Sequence, residues 1–361
     1  MRVLLVITGL GVGGAERQVC DLADGLNRLG HEVKLLYLTG SAVVTPASAG
    51  VAIHGLGMGK NPLSFLGAIR ALKRHIESFR PDVVHSHMFH ANILVRLARL
   101  SCSIPKLIST AHNTSEGGRF RSFLYRITDS LADLSTNVSD EAVEAFVENG
   151  AVPKGRMIVV YNGIDLSRFH CVDPQERSRS NDDLVILAVG RLHPQKDYPN
   201  LLRAFSLLPP TFSGQRLRLD IVGEGAERNA LVVLAKGLGI ESRVHFLGIR
   251  SDVPKLMNQA DLFVLSSAWE GFGLVVAEAM ACEKRVVATD CGGVAEVLAG
   301  NGILVPPRDH KALAEGIQMT LAMGPDEAKL LGRKARAHIE RTFSMDVILS
   351  RWQEIYSEGA S

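Results

Sequence analysis

The chain has 361 residues, which at roughly 100 to 200 residues per domain points to two domains rather than one. Hydrophobic residues make up 46% and charged residues 22%, with 34 Gly and 14 Pro, a composition that excludes disorder, collagen and a long coiled coil. The 40 basic and 38 acidic side chains leave a net charge of +2, too balanced for a domain that holds nucleic acid by bulk electrostatics.

Short β-branched runs alternate with helical patterns from the start: Val3–Thr8, then Ala15–Leu29, then Val33–Leu38. The first run follows Met1-Arg2 as an export signal would, but it is short and runs into Gly9–Gly14 and Glu16-Arg17 without a cleavage site, so a buried strand is expected. Residues 35–59 carry no Asp, Glu, Lys or Arg, yet their five glycines and Pro46 break any spanning helix, and they are read as strands and loops. The alternation continues through Asp82–His85, Met88–Leu100, Lys106–Thr110 and an amphipathic stretch from Phe120. A polar segment, residues 166–183, reads as an interdomain linker between an N-terminal domain over 1–165 and a C-terminal one over 184–342. The second series places strands at Leu184–Val189, Leu217–Val222, Val244–Leu247, Leu262–Leu265, Arg285–Ala288 and Ile303–Val305. Three helical segments follow from Asp309, and residues 343–361 are expected to pack back towards the N-terminal domain. Such alternation predicts an α/β protein with two Rossmann-like, doubly wound parallel sheets facing across a cleft, with ligands at the carboxyl ends of the strands.

The five cysteines, Cys20, Cys102, Cys171, Cys282 and Cys291, form no CxxC pair, which favours a reducing, cytoplasmic setting. Gly9-Leu10-Gly11-Val12-Gly13-Gly14 matches GxGxxG between a strand and a helix, the pattern of a dinucleotide site. A ribose-binding acid is missing after the second strand, where Thr39-Gly40-Ser41 stands instead. An NAD-dependent oxidoreductase therefore stays only as an alternative. Glycines that permit close backbone approach and a helix start that attracts anions remain as the physical content, beside the plainer reading of a tight turn.

Gly190-Arg191-Leu192-His193-Pro194-Gln195-Lys196-Asp197 ends the first strand of the second series, with a guanidinium and an ammonium five residues apart. That pair suits a diphosphate, and is also what a solvated surface loop carries. Glu270-Gly271-Phe272-Gly273-Leu274-Val275-Val276-Ala277-Glu278 follows Leu262–Leu265 and puts two carboxylates eight residues apart around a predicted helix start. On a continuous helix that spacing is about 12 Å of rise, enough to border one elongated ligand. The N–H groups of Phe272, Gly273 and Leu274 would face negative charge between them. A sugar, a diphosphate and a ribose follow that order.

With these residues in place, the chain resembles the GT-B glycosyltransferases of family 4, the retaining nucleotide-sugar enzymes. The resemblance rests on Gly13-Gly14-Ala15-Glu16, Ser109-Thr110-Ala111-His112, Asn162-Gly163-Ile164-Asp165, Gly190-Arg191, Lys196 and the Glu270/Glu278 pair. It implies that Arg191 and Lys196 bind the donor diphosphate with backbone N–H from Gly14. By the same resemblance His112 and Glu270 meet the transferred sugar, and Glu278 holds the ribose. Tyr161 before Asn162 departs from the Pro of many relatives. The implied activity is hexosyl transfer from a nucleotide sugar, most simply UDP-linked, to a soluble or undecaprenyl-diphosphate-linked saccharide, in the assembly of cell-surface polysaccharide or the O-antigen of lipopolysaccharide. A nucleotide-sugar 2-epimerase of the same architecture is the closest alternative, and a non-catalytic sugar-binding protein a more distant one.

No metal or cofactor is expected, since Arg191, Lys196 and a helix start already neutralise a diphosphate. His85, His87 and His90 are weighed as a metal cluster, and a role in lining the acceptor cleft, particularly for His87 and His90, is expected instead. Residues 60–126 carry eleven Lys or Arg against three acids, an excess of eight positive charges interleaved with Phe65, Leu66, Ile69, Leu72 and Ile76 and with Phe120, Phe123, Leu124 and Tyr125. Such a face suits an anionic membrane surface, or covers a core stripe with solvated charge. The membrane reading makes the protein peripheral on the inner face of the cytoplasmic membrane.

Overall fold

The computed structural model describes residues 1–114, 116–172 and 183–358. The chain divides into two compact units, Met1–Gly163 joined by the chain from Met345, and Ile164–Ser344. Most of the stretch read as a linker, residues 173–182, lies outside the described residues, while 166–172 belong to the second unit and Asp183 already opens its first strand.

In chain order the first unit runs β1 (Arg2–Gly9), α1 (Gly14–Arg28), β2 (Glu32–Thr39), β3 (Ala52–Gly55), α2 (Pro62–Phe79), β4 (Val83–His87), α3 (Phe89–Ala98), β5 (Lys106–Thr110), α4 (Arg119–Thr128), β6 (Leu134–Asn137), α5 (Asp140–Glu148) and β7 (Met157–Val159). The strands form one parallel sheet in the order β3-β2-β1-β4-β5-β6-β7, reversing direction of growth beside β1. Strands buried on both faces explain the unbroken apolar run Val3–Ile7, which is wholly enclosed.

The second unit runs β8 (Asp183–Val189), α6 (Tyr198–Ser206), β9 (Thr211–Phe212), β10 (Gln215–Val222), α7 (Arg228–Gly237), β11 (Val244–Gly248), α8 (Val253–Gln259), β12 (Leu262–Leu265), α9 (Leu274–Ala281), β13 (Arg285–Thr289), α10 (Val294–Leu298), β14 (Ile303–Val305), α11 (His310–Ala322) and α12 (Pro325–Thr342). Its parallel strands lie in the order β11-β10-β8-β12-β13-β14, and β9 pairs antiparallel with β10. The last helix, α13 (Met345–Ser357), belongs to the first unit, where Leu349, Trp352, Ile355 and Tyr356 join the core formed by α1 and β1.

β6 departs from hydrophobic patterning. Its Ser135, Thr136 and Asn137 are fully buried because they satisfy other buried polar groups. Arg96 of α3, also fully buried, donates to Ser109 Oγ (3.2 Å) and Ser135 Oγ (2.9 Å) and lies 3.8 Å from Asp129. A buried guanidinium needs this many acceptors, since an unpaired buried charge is strongly destabilising.

Candidate active site

In the second unit, the loops after β8 and β12 come together. Ala268 N–H donates to Gln195 O (2.8 Å), Gln195 Nε2 to Trp269 O (3.1 Å) and Ser266 Oγ to Lys196 O (2.8 Å). Tyr198, at the start of α6, closes the first loop by donating its hydroxyl to Gly190 O at 3.0 Å. Burial, with the nearby Glu270 charge as the smaller cause, pushes that phenol well up, so it stays a donor. Lys196 ends a single 3-10 turn, and its ammonium donates to Glu270 Oε1. The hydroxyl of Ser267, fully buried, donates to the same oxygen at 2.6 Å. Ser267 is in turn held by its carbonyl, which accepts from Thr289 Oγ1 at 2.7 Å. Both contacts fall on Oε1 of a carboxylate that is itself buried. Arg191 lies on the same loop as Lys196 and is exposed, with no ion-pair partner among the described residues.

The helix starts later than the eight-residue spacing of the carboxylates suggests. α9 begins at Leu274 with Gly273 as its N-cap, so Glu270 stands in the loop and only Glu278 is on the helix, in its second turn. A rise of 12 Å along one helix therefore does not describe the pair. Gly273 has φ +85 and Gly292 φ +58, and a Cβ at Gly292 would lie 2.1 Å from the Glu270 carbonyl oxygen. Glycine is required there because the chain after β13 crosses directly over Glu270. The first-turn N–H groups of Leu274 and Val275 have no intrahelical carbonyl to meet, which leaves a donor-rich edge beside Glu270.

In the first unit, Gly13 is the N-cap of α1 and Gly14 its first residue. A Cβ on Gly13 would lie 2.3 Å from a Glu16 carboxylate oxygen, so the loop and the first turn are closely folded. His112 follows β5 and is buried. Its ring Nε2 is 3.1 Å from His87 Nδ1 at the end of β4, and its backbone N–H donates to Glu116 Oε1 at 3.3 Å. Burial takes the His112 pKa down to about 4, and burial also lowers His85 and His87 well below the usual range. All three rings are neutral at pH 7. Glu116 receives the Tyr125 hydroxyl as well, and burial raises its carboxyl.

His85 has both ring nitrogens engaged, with Tyr356 OH at 2.8 Å and Thr110 Oγ1 at 2.6 Å, so it is not a free ligand of a metal. Among the described residues no group of three or more His, Cys, Asp or Glu is arranged to hold a metal ion. Tyr161, just before Asn162, donates to Asp140 Oδ2 at 3.0 Å.

Sequence reasoning missed Ser267, His87 as the partner of His112, and Glu116. Ser267 had a signal, being three residues before Glu270; the His87–His112 contact had none, because it joins adjacent strands across 25 residues.

The basic segment divides. On α2 the expected stripe is core: Leu72 and Ile76 are buried with Ala68 and Phe79, while Leu63 and Leu66 point outward. On α4, Tyr125 is buried and Leu124 half-buried, but Phe120 (72% exposed), Phe123 and Ile127 are open to solvent on the helix that carries Arg119 and Arg126. Among the described residues no helix is long and apolar enough to cross a membrane.

Two consecutive sheets of this kind, with a cation and a carboxylate joined at the strand ends of the second, are the frame of a GT-B glycosyltransferase. The family model for glycosyltransferase family 4 matches residues 12–168 and that for glycosyl transferases group 1 matches residues 172–338. EpsD of Bacillus subtilis, named a glycosyltransferase, is 30% identical over 81% of this chain and 80% of its own. The N-acetylgalactosamine-N,N'-diacetylbacillosaminyl-diphospho-undecaprenol 4-alpha-N-acetylgalactosaminyltransferase of Campylobacter jejuni is 29% identical, covering 88% of this chain and 89% of that enzyme. Among solved structures, HepE of Anabaena in complex with UDP-glucose superposes with a TM-score of 0.86 at 25% identity, over 99% of each chain. The chain belongs to the family 4 glycosyltransferases and is an enzyme of the hexosyltransferase type, not an oxidoreductase.

Proposed function

We propose that the protein is a retaining glycosyltransferase that moves a hexose or N-acetylhexosamine from a UDP-sugar to a saccharide carried on undecaprenyl diphosphate, in cell-surface polysaccharide or O-antigen assembly. The observation that carries this reading is the Lys196–Glu270 pair at the ends of β8 and β12, beside the start of α9. Lys196 and Arg191 take the diphosphate, Glu270 faces the transferred sugar, and Glu278 takes the ribose. Backbone N–H groups of Gly273 and Leu274, at the start of α9, face the phosphates.

In the reaction the bond from the anomeric carbon to the diphosphate oxygen breaks, and its electron pair leaves with UDP. The acceptor hydroxyl bonds to the same face of that carbon and gives its proton to the departing phosphate oxygen, so configuration is kept. Positive charge grows on the sugar and negative charge on the diphosphate. A carboxylate and an ammonium fixed before the reaction lower the barrier by stabilising both. The two cations on the β8 loop make the reaction independent of a divalent metal.

Two relatives support the finer points. The Campylobacter enzyme acts on a diphospho-undecaprenol acceptor by its name, and HepE binds UDP-glucose. An acceptor of that kind lies in a membrane, and the exposed Phe120, Phe123 and Ile127 with Arg119 and Arg126 on α4 supply the apolar and cationic contacts that hold a protein on an anionic surface. The test is a thermal-shift screen of UDP-, GDP- and ADP-sugars in EDTA, followed by NMR of the anomeric product formed with undecaprenyl-diphosphate-linked saccharides. A UDP-sugar should raise Tm and yield a product of unchanged anomeric configuration without added metal. Inversion at the anomeric carbon, or activity only with Mn²⁺ or Mg²⁺, contradicts the proposal.

A further inference from the structure

Three neutral imidazoles cluster at the middle and end of β4 and just beyond the end of β5. His85 is fixed by two hydrogen bonds, and its ring lies 4.0 Å from that of His87 and 4.5 Å from Trp352 of α13. His87 is thereby held between His85 and His112, bonding the latter through Nδ1 at 3.1 Å. His112 is tied on its other side through its backbone N–H to Glu116. The far nitrogens, His87 Nε2 and His112 Nδ1, are buried and have no hydrogen-bond partner among the described residues. The same holds for Gln18 Oε1, and Gln18, His87 and His112 line one small cavity with Trp352 and Asn162.

Counting protons gives this pair a property that neither ring has alone. Each neutral imidazole carries one N–H, and a single hydrogen bond joins the rings, so one ring donates and the other accepts. If His87 Nδ1 donates, the His112 proton must sit on Nδ1 and His87 Nε2 is an acceptor. If His112 Nε2 donates, its Nδ1 is an acceptor and His87 Nε2 carries the remaining proton. In both cases the two free nitrogens have opposite character, one donor and one acceptor. An isolated His112 would interchange its tautomers and present either.

We infer that His87 is a positioning residue which, through its 3.1 Å contact to Nε2, locks His112 into one tautomer and leaves Nδ1 as the atom that meets a ligand hydroxyl. This rests on the reading that His112 meets the transferred sugar, and it assigns the contact to one nitrogen, Nδ1, whose proton occupancy is opposite to that of His87 Nε2. A sugar hydroxyl both donates and accepts, so a fixed nitrogen settles which role the hydroxyl keeps for its other neighbours.

The experiment is long-range ¹⁵N–¹H correlation NMR on ¹⁵N-histidine-labelled protein at pH 7.5 without any ligand, so it reads the tautomer whether or not His112 touches sugar. Loss of turnover in His112→Phe tests the underlying reading separately. In the unmodified protein His112 should show one neutral tautomer. In His87→Phe, which keeps a ring but removes the bond, the ratio of tautomers should fall by about tenfold, equivalent to ~1.4 kcal/mol. His87→Asn, whose amide reaches the position of Nδ1, should restore the single form. Mixed tautomers in the unmodified protein overturn the inference without recourse to any variant. An unchanged ratio in folded His87→Phe overturns it equally.

Discussion

Lys196 and Glu270 are paired between two loops of one sheet, and the ammonium shares Glu270 Oε1 with the hydroxyl of Ser267. The two charges that the proposed reaction separates onto diphosphate and sugar thus neutralise each other before a donor arrives. Removing one partner leaves the other in a site where neither side chain is more than 15% exposed. Lys196→Ala should therefore lower the unfolding free energy by about 3 kcal/mol, and Lys196→Ala combined with Glu270→Gln by less, because no lone charge remains. Urea unfolding of the unmodified protein, the two single variants and the double variant checks this; simple additivity would contradict it. UDP affinity should fall about tenfold to a hundredfold in Lys196→Ala and in Arg191→Ala, as charge-assisted bonds of ~1.5 to 3 kcal/mol are lost.

Ser267 is a less disruptive probe of the same carboxylate. Ser267→Ala deletes one neutral donor to Glu270 Oε1 and should cost about 1 kcal/mol of stability. Turnover should fall while UDP affinity measured by calorimetry stays unchanged, since the hydroxyl orients Glu270 and not the diphosphate. Loss of UDP affinity equal to that of Lys196→Ala would show the two contacts are not separate.

Neutral, buried His112 makes stability depend on pH in a definite sense. Its pKa is depressed in the folded state to about 4, from 6.5, so its contribution is present above pH 6.5 and is lost as pH falls towards 4. The slope is about 1.4 kcal/mol per pH unit for each such ring, and His112 alone accounts for roughly 3 kcal/mol across the window. His85 and His87, also depressed, act in the same direction. Glu116, raised by burial, acts in the opposite one: its contribution is present at low pH and is lost as pH rises through its folded pKa. Comparing urea midpoints of wild type and His112→Phe between pH 7 and 4 isolates one ring, and the variant should have the shallower dependence. Parallel curves would contradict the assignment.

Much of the fold is legible in the sequence because its strands are apolar on both faces. The runs Val3–Thr8, Leu184–Val189 and Leu262–Leu265 announce themselves, and the glycine-rich turns mark where they end. β6 is invisible to the same reasoning, since Ser135, Thr136 and Asn137 are buried to serve Arg96, Thr110 and the backbone rather than to exclude water. β3 is short and largely exposed, and carries little pattern. The Glu270 region is legible as chemistry but not as geometry. Gly273, at φ +85, delays the helix by one turn, and no spacing rule anticipates that. The His87–His112 bond depends on strand register, with His87 opposite Thr110, and only the folded sheet shows it.

The outward apolar side chains of α4 should hold the protein on anionic vesicles. Phe120→Ser with Phe123→Ser should abolish sedimentation with vesicles containing phosphatidylglycerol and leave UDP affinity intact. Binding of the unmodified protein should weaken as salt rises, because Arg119 and Arg126 are exposed and screened. Equal recovery with neutral and anionic vesicles at low salt would count against the surface.

The proposed orientation of the donor, with Glu270 at the sugar and Glu278 at the ribose, is tested most directly by calorimetric UDP titration of Glu270→Gln and Glu278→Gln. Glu270→Gln should bind UDP nearly as the unmodified protein does while losing turnover, because its charge matters most as the sugar becomes cationic. Glu278→Gln should lose UDP affinity, since a ribose contact exists before the reaction as well as during it. Abolished UDP binding in folded Glu270→Gln, with full binding retained in Glu278→Gln, would contradict the account.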